Sequence, residues 1–143
     1  LFSVKSYNFS SLTVGETEDP TVSRMTLCVT GDDPTFEQIK KHLNHCVEVI
    51  KVTDLTNTVL HMKEIMYLKV KGCSLKEKNY LFNIAQVFGV KVVDYGKDSL
   101  LLECFQTEER NNSLIALVRD SYKQVSIVRG GSVAVESISL QDQ

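Results

Sequence analysis

One pattern occurs twice in this chain, and it limits the fold more than any other feature. A strand, a turn, a second strand, a helix and a closing strand are expected over residues 9–54, and the same series over residues 90–129. The first copy is organised around residues 7–33, YNFSSLTVGETEDPTVSRMTLCVTGDD. In residues 24–30, Met25, Leu27 and Val29 alternate with Thr26, Cys28 and Thr30, the period of a strand with one apolar face. Residues 9–14 set Phe9, Leu12 and Val14 among serines and a threonine, which reads as a more exposed strand. Gly15, Glu16, Glu18, Asp19 and Pro20 lie in the loop between them.

The turn at Gly31-Asp32-Asp33-Pro34 leads into a helix over residues 34–44. Asp33 is the expected N-cap, Pro34 suits the first helical position, and Glu37 lies near the positive helix end. Phe36, Ile39, Leu43 and Cys46 form its apolar stripe. Residues 47–54, VEVIKVTD, are β-branched and read as a strand. Ahead of all this, LFSVKSYN reads as the last turns of a helix, with Leu1, Phe2 and Val4 on its apolar side and Asn8 ending it.

The second copy is preceded by its own leading strand and helix. Residues 62–70 read as a strand with Ile65, Tyr67 and Lys69 on one face and Met66, Leu68 and Val70 on the other. Ser74 and Glu77 form a capping box opening a helix that buries Leu81, Ile84, Ala85 and Phe88, with Gly89 at its left-handed end. Strands are expected at 90–95 and 99–105, separated by a turn at 96–98. Thr107 caps a helix using Leu114, Leu117 and Val118. A final strand at 125–129 is expected to break at Gly130-Gly131, with a short extension over 132–138 and a loose tail beyond.

Two βαββαβ units of ferredoxin-like topology account for this repeat, making the chain α+β. Only the second unit has a full set of elements. The first lacks its own leading strand and most of its first helix, which would leave two interior sheet edges unpaired. The expectation is that residues ahead of Leu1 belong to the protein. The boundaries are residues 1–55 for the first unit, 56–61 for a linker, 62–138 for the second unit and 139–143 for a tail.

Composition sets the broad class. The 143 residues, 43% hydrophobic and 24% charged, suit one ordinary domain or two small ones. A net charge of −2 with scattered basic residues argues against a nucleic-acid partner. No stretch approaches the roughly 20 apolar residues of a membrane span. The four cysteines have no CxxC spacing, and no secretory signal is visible, so reduced thiols in the cytoplasm are expected.

Few residues converge on chemistry. His42 and Cys46 share a helical face, but His45 points elsewhere and no fourth ligand is evident, so a stripe cysteine beside surface histidines is the plainer reading than a metal site. Glu16, Glu18 and Asp19 lack EF-hand spacing and a nearby nucleophile, and read as a solvated recognition loop. Gly130-Gly131 has no P-loop Lys-Ser/Thr pair. Nothing assembles a nucleophile, base and oxyanion site. An RNA-binding module shares the topology, but the strands RMTLCVT and SLLLECF lack the aromatic and basic pattern it needs.

The run YNFSSLTVGETEDPTVSRMT closely resembles the segment after the first helix in regulatory (small) subunits of acetolactate synthase, also called acetohydroxyacid synthase. The likeness continues through GDDPTFEQIKKHLNHCVEVIKVTDL, KEIMYLKV and AQVFGVKVVDYGKDSLLLE to IVRGGSVAV, nearly the whole chain in one order. The resemblance implies an N-terminal ACT domain, here lacking its first strand, followed by a second ferredoxin-like domain. It implies a non-catalytic subunit that forms a homodimer through the ACT domain. It also implies that the chain activates a large catalytic subunit carrying thiamine diphosphate and confers feedback inhibition by valine or another branched-chain amino acid such as isoleucine. No cofactor of its own is expected. Asn8, with a carbonyl acceptor and an amide donor, then becomes the expected partner of the effector's ammonium and carboxylate, and Phe9 a wall for its side chain. Read without the resemblance, Asn8 only ends a helix and Phe9 only packs a strand. Ser6 stands where the family usually has glycine. A stand-alone ACT-type sensor acting on a different partner is the alternative.

Overall fold

The computed structural model describes residues 8–46 and 48–141, with side chains for all of these except Asn8, Leu140 and Gln141. Contacts divide the chain into two compact units, one of residues 1–62 with 133–143 and one of residues 63–132. The helical remnant expected over residues 1–7 lies outside the described residues.

In the first unit, β1 (Asn8–Glu16) and β2 (Ser23–Thr30) form an antiparallel hairpin. Asn8 pairs with Thr30 and Glu16 with Ser23, and the register shifts between Phe9 and Ser11. A bulge there adds one residue to β1 and bends it. Ser10 Oγ donates to the Cys28 carbonyl at 3.3 Å across that bend. The loop is closed by its own side chains: Thr17 Oγ1 donates to Val22 O at 2.9 Å, and the Asp19 carboxylate accepts from the Thr21 amide at 3.0 Å and the Thr21 hydroxyl at 2.7 Å. Those Thr21 bonds hold the Asp19 carboxyl below its ordinary value.

Helix α1 (Asp33–Asn44) follows, and its cap differs from the expected one by a residue. Asp32, not Asp33, is in extended conformation and accepts from the Thr35 amide at 3.0 Å. Asp33 falls in the first turn, where its charge still favours the helix end. Ile39 is buried, and Phe36, Leu43 and Cys46 are half-buried.

The strand expected over residues 47–54 is not formed by the described residues 48–54, which are irregular, and Ile50 is 82% exposed. Val47 lies outside the described residues. β-branched composition makes a strand only when a neighbour completes the ladder. In a ferredoxin-like unit the last strand pairs with the leading one, and among the described residues β1 and β2 form a two-stranded sheet with each other. Side chains pin this segment instead. Lys40 Nζ lies 2.7 Å from Glu37 and 3.1 Å from Asp54. The Thr56 hydroxyl and amide, with Lys40 beside them, lower the Asp54 carboxyl to about 2.

The second unit carries a four-stranded antiparallel sheet in the order β4-β5-β3-β6. The strands are β3 (Leu60–Lys71), β4 (Lys91–Tyr95), β5 (Leu100–Gln106) and β6 (Gln124–Glu136). The crossovers are α2 (Leu75–Phe88) and α3 (Glu108–Ser121). This is the ferredoxin-like arrangement expected, with its first and third strands at the centre.

Burial alternates strictly along the middle of β3. Met66, Leu68 and Val70 are 0% exposed and face Leu81, Ile84 and Ala85 of α2 and Leu114 and Val118 of α3, while Ile65 and Tyr67 face outward. The Ser74–Glu77 capping box forms as expected: Ser74 Oγ accepts from the Glu77 amide at 3.2 Å, and Glu77 accepts from the Ser74 amide at 2.9 Å. Gly89 ends α2 at φ +70°. Thr107 caps α3.

The end of the chain departs from expectation. Gly130-Gly131 does not break the last strand, because β6 runs through it to Glu136. Gly131 adopts φ +83°, and a Cβ on Gly130 would lie 2.7 Å from Ile65 Cγ2, so the pair lets the strand bend close to β3 without ending it. A short α4 (Ile138–Gln141) follows.

Candidate functional site

Both expected effector residues stand at the start of β1. The Asn8 backbone pairs with Thr30 and that of Phe9 with Val29, one step before the bulge. Phe9 is half-buried. The Asn8 side chain and Tyr7 lie outside the described residues. The bulge leaves this end of the hairpin less regular than the end toward the loop, a common device for re-aiming side chains beside a binding site. One face of the hairpin is open beyond it, with Leu12 at 51%, Val14 at 60% and Met25 at 53% exposed.

On α1 the histidines and cysteine do not converge. The Cys46 thiol, just past the end of α1, donates to the His42 carbonyl at 3.3 Å in the last turn. Among the described residues no group of three or more His, Cys, Asp or Glu side chains is placed to hold a metal ion.

The second unit contains a polar cluster that sequence reasoning missed. Glu64 sits on the buried face of β3 at 2% exposure, directly opposite Gln106 of β5. Its Oε1 accepts from Arg129 Nη2 at 2.7 Å and from Asn111 Nδ2 at 2.8 Å. Gln106 donates to Asn111 Oδ1 at 2.8 Å, and Arg129 Nη1 donates to Asn112 Oδ1 at 2.6 Å. Burial alone would push the Glu64 carboxyl up. Hydrogen bonds from Arg129 and Asn111, the Arg129 charge and the Gly131 N–H outweigh it and hold the group below the ordinary carboxylate range. A signal was present: the apolar row Val70, Leu68, Met66 ends at Glu64, and the row Val125, Ile127 ends at Arg129. Opposite charges continuing two core-facing rows mark an ion pair with a buried carboxylate.

Lys78 is a buried cation. Its Nζ donates to the Gly96 carbonyl at 2.7 Å and the Lys97 carbonyl at 2.9 Å, and it lies 5.3 Å from the Tyr95 ring centroid. The amine thus stabilises the β4–β5 turn. Tyr122 is similar: its hydroxyl donates to Glu77 O at 2.7 Å, and burial raises its pKa to about 12. On the open sheet face Tyr67 donates to Glu103 Oε1 at 2.9 Å, beside Lys69 on the same face of β3. No helix among the described residues is long and apolar enough to cross a membrane.

Comparison with known proteins covers both units. Residues 63–138 match the family described as the small subunit of acetolactate synthase, and residues 1–51 match the AHAS small subunit-like ACT domain. A small subunit from Aquifex aeolicus is 34% identical over 135 residues, spanning 94% of this chain and 70% of the relative. The isozyme 3 small subunit of Escherichia coli is 33% identical over 135 residues, 94% of this chain and 82% of the relative. The crystal structure of the Thermotoga maritima small subunit superposes with a TM-score of 0.79 at 32% identity, covering 94% of this chain and 83% of that one. Sequence, domain order and fold therefore agree, and this chain belongs to the family of acetolactate synthase small subunits, with an ACT-type domain followed by a second ferredoxin-like domain.

Proposed function

We propose that the chain is a non-catalytic regulatory subunit of acetolactate synthase, which binds a large catalytic subunit, raises its activity and makes it sensitive to valine. The observation that carries this reading is the family match across both units in one order, over residues 1–51 and 63–138. Thiamine diphosphate belongs to the catalytic partner in this reading, and the chain brings no cofactor. The internal use of Glu64, Arg129 and Lys78 supports a non-catalytic role, because these charges are engaged by the protein's own side chains and backbone. A homodimer forms through the ACT domain, where the exposed Leu12, Val14 and Met25 favour further association. Valine is held at the start of β1, with Asn8 meeting its charged groups and Phe9 its side chain.

The test is reconstitution of the full-length protein with the large subunit. Acetolactate formation should rise on adding the small subunit and fall on titrating valine into the complex, with no such fall for the large subunit alone. A protein that neither co-purifies with the large subunit nor changes its rate would return the reading to a stand-alone sensor. A strictly monomeric species by light scattering at micromolar concentration would remove the dimer.

A further inference from the structure

The far end of the hairpin meets, through Arg24, a strand that also carries Arg129 of the Glu64 cluster. Arg24 of β2 donates from Nη2 to the Ala134 carbonyl at 2.7 Å and lies 3.7 Å from the Glu136 carboxylate. Both acceptors are on the last residues of β6, within the first unit. The Ser137 amide, just beyond, donates to Val59 O at 2.9 Å, so this segment is held from a second side. Earlier in the same strand, Arg129 and the Gly131 N–H are bound by the Glu64 carboxylate. Between these anchors, Gly130 approaches Ile65 too closely for any side chain. The end of β6 is therefore fixed by Glu64 upstream and by Arg24 downstream.

The kind of bond matters. The Arg24–Glu136 pair is half-exposed on both sides and contributes little by itself. The bond to Ala134 is directed at backbone, and Ala134 is buried, so it responds to where the strand lies and to no particular side chain. A guanidinium donor makes such a bond stronger than a neutral one.

We infer that Arg24 is a positioning residue that couples the β1–β2 hairpin to β6, so that a change at the effector end of the hairpin reaches the strand through the Arg24–Ala134 contact. This rests on the valine reading for its ligand, while the contact itself can be tested without one.

The experiment uses full-length wild-type, Arg24→Ala and Arg24→Lys proteins. Hydrogen exchange without ligand reads the amides of residues 133–137, calorimetry reads valine affinity of the small subunit, and acetolactate formation by the reconstituted complex reads inhibition. In Arg24→Ala exchange should quicken, valine affinity should stay within about two-fold, and inhibition should need about two- to thirty-fold more valine, the range that loss of a coupling contact produces. Arg24→Lys, which keeps one donor, should recover part of both effects. Unchanged exchange, or normal inhibition with wild-type affinity, would overturn the coupling. A fall in affinity equal to the fall in inhibition would also overturn it, since Arg24 would then act at the binding site. A wild-type protein that binds no valine defeats the functional reading and the coupling with it, an outcome distinct from the others.

Discussion

The two hairpin-and-helix assemblies of this chain share local signals and differ in what surrounds them. In the first unit β1, β2 and α1 have alternation, a bulge and a capped helix, yet Leu12, Val14 and Met25 stay exposed and Ile39 is the buried apolar residue of α1. In the second, β4, β5 and α3 meet β3, α2 and β6, and Leu100, Leu102, Leu114 and Val118 are almost fully buried. A hairpin covers only one side of its strands. A closed core forms where strands distant in sequence flank it, because a two-stranded sheet cannot by itself bury enough apolar area to be stable. Stability should accordingly concentrate in the second unit and effector sensing in the first.

The largest effect should come from that core. Leu68→Ala leaves a cavity in the centre of β3 and should cost about 3–5 kcal/mol by chemical denaturation. A loss below 1 kcal/mol would mean the two units do not differ as described.

Next is the buried pair. Glu64→Ala leaves Arg129 and the fully buried Asn111 without their acceptor and should cost about 1–3 kcal/mol. Because the folded Glu64 carboxyl lies below its ordinary value of 4.5, its stabilisation is present above that value and is lost as pH falls through the lower folded value. Denaturation from pH 7 to pH 3 should therefore fall less steeply for Glu64→Gln than for wild type. Parallel curves would show that the group is not held as the geometry indicates.

Asn8→Ala sharpens the comparison from the other side. Losing a hydrogen bond to a charged group, worth about 1.5–3 kcal/mol, should raise the valine needed for inhibition roughly ten- to a hundred-fold. The melting of the second unit and the activation of the large subunit should be unaffected. An unchanged inhibition curve would remove Asn8 from the site, and joint loss of activation would indicate misfolding.

Smaller still is the cap of α2, where Ser74→Ala should cost about 1 kcal/mol. Leu12→Ala, on the open hairpin face, should change the stability of the unassociated chain by less than about 0.5 kcal/mol. A larger loss there that grows with protein concentration would instead report the dimer.

Sequence alone was enough wherever a signal is local. The β1–β2 hairpin, the Ser74–Glu77 box, Gly89 in the left-handed region, the Thr107 cap and the inward row of β3 all depend on residues within a turn or a strand of one another, and each formed as read. The alternation read in residues 24–30 did not become alternating burial, since Met25 is exposed and Thr26, Leu27, Cys28 and Val29 are all half-buried. The family was legible as well, because a co-linear resemblance along the chain does not depend on contacts. Tertiary structure decided the rest. Residues 48–54 have β-branched side chains but no ladder partner among the described residues, so they remain irregular. Gly130-Gly131 reads as a breaker, but β3 beside it supplies hydrogen-bonding partners and leaves room only for glycine, so β6 continues. The Glu64–Arg129 pair joins residues far apart in the chain, and Arg24 meets Ala134 only because the chain's last strand returns to its first unit. Periodicity specifies which face a side chain takes. Only the assembled sheet specifies what lies across from it, and that neighbour determines whether a charge is paired, a strand is completed or a glycine is required.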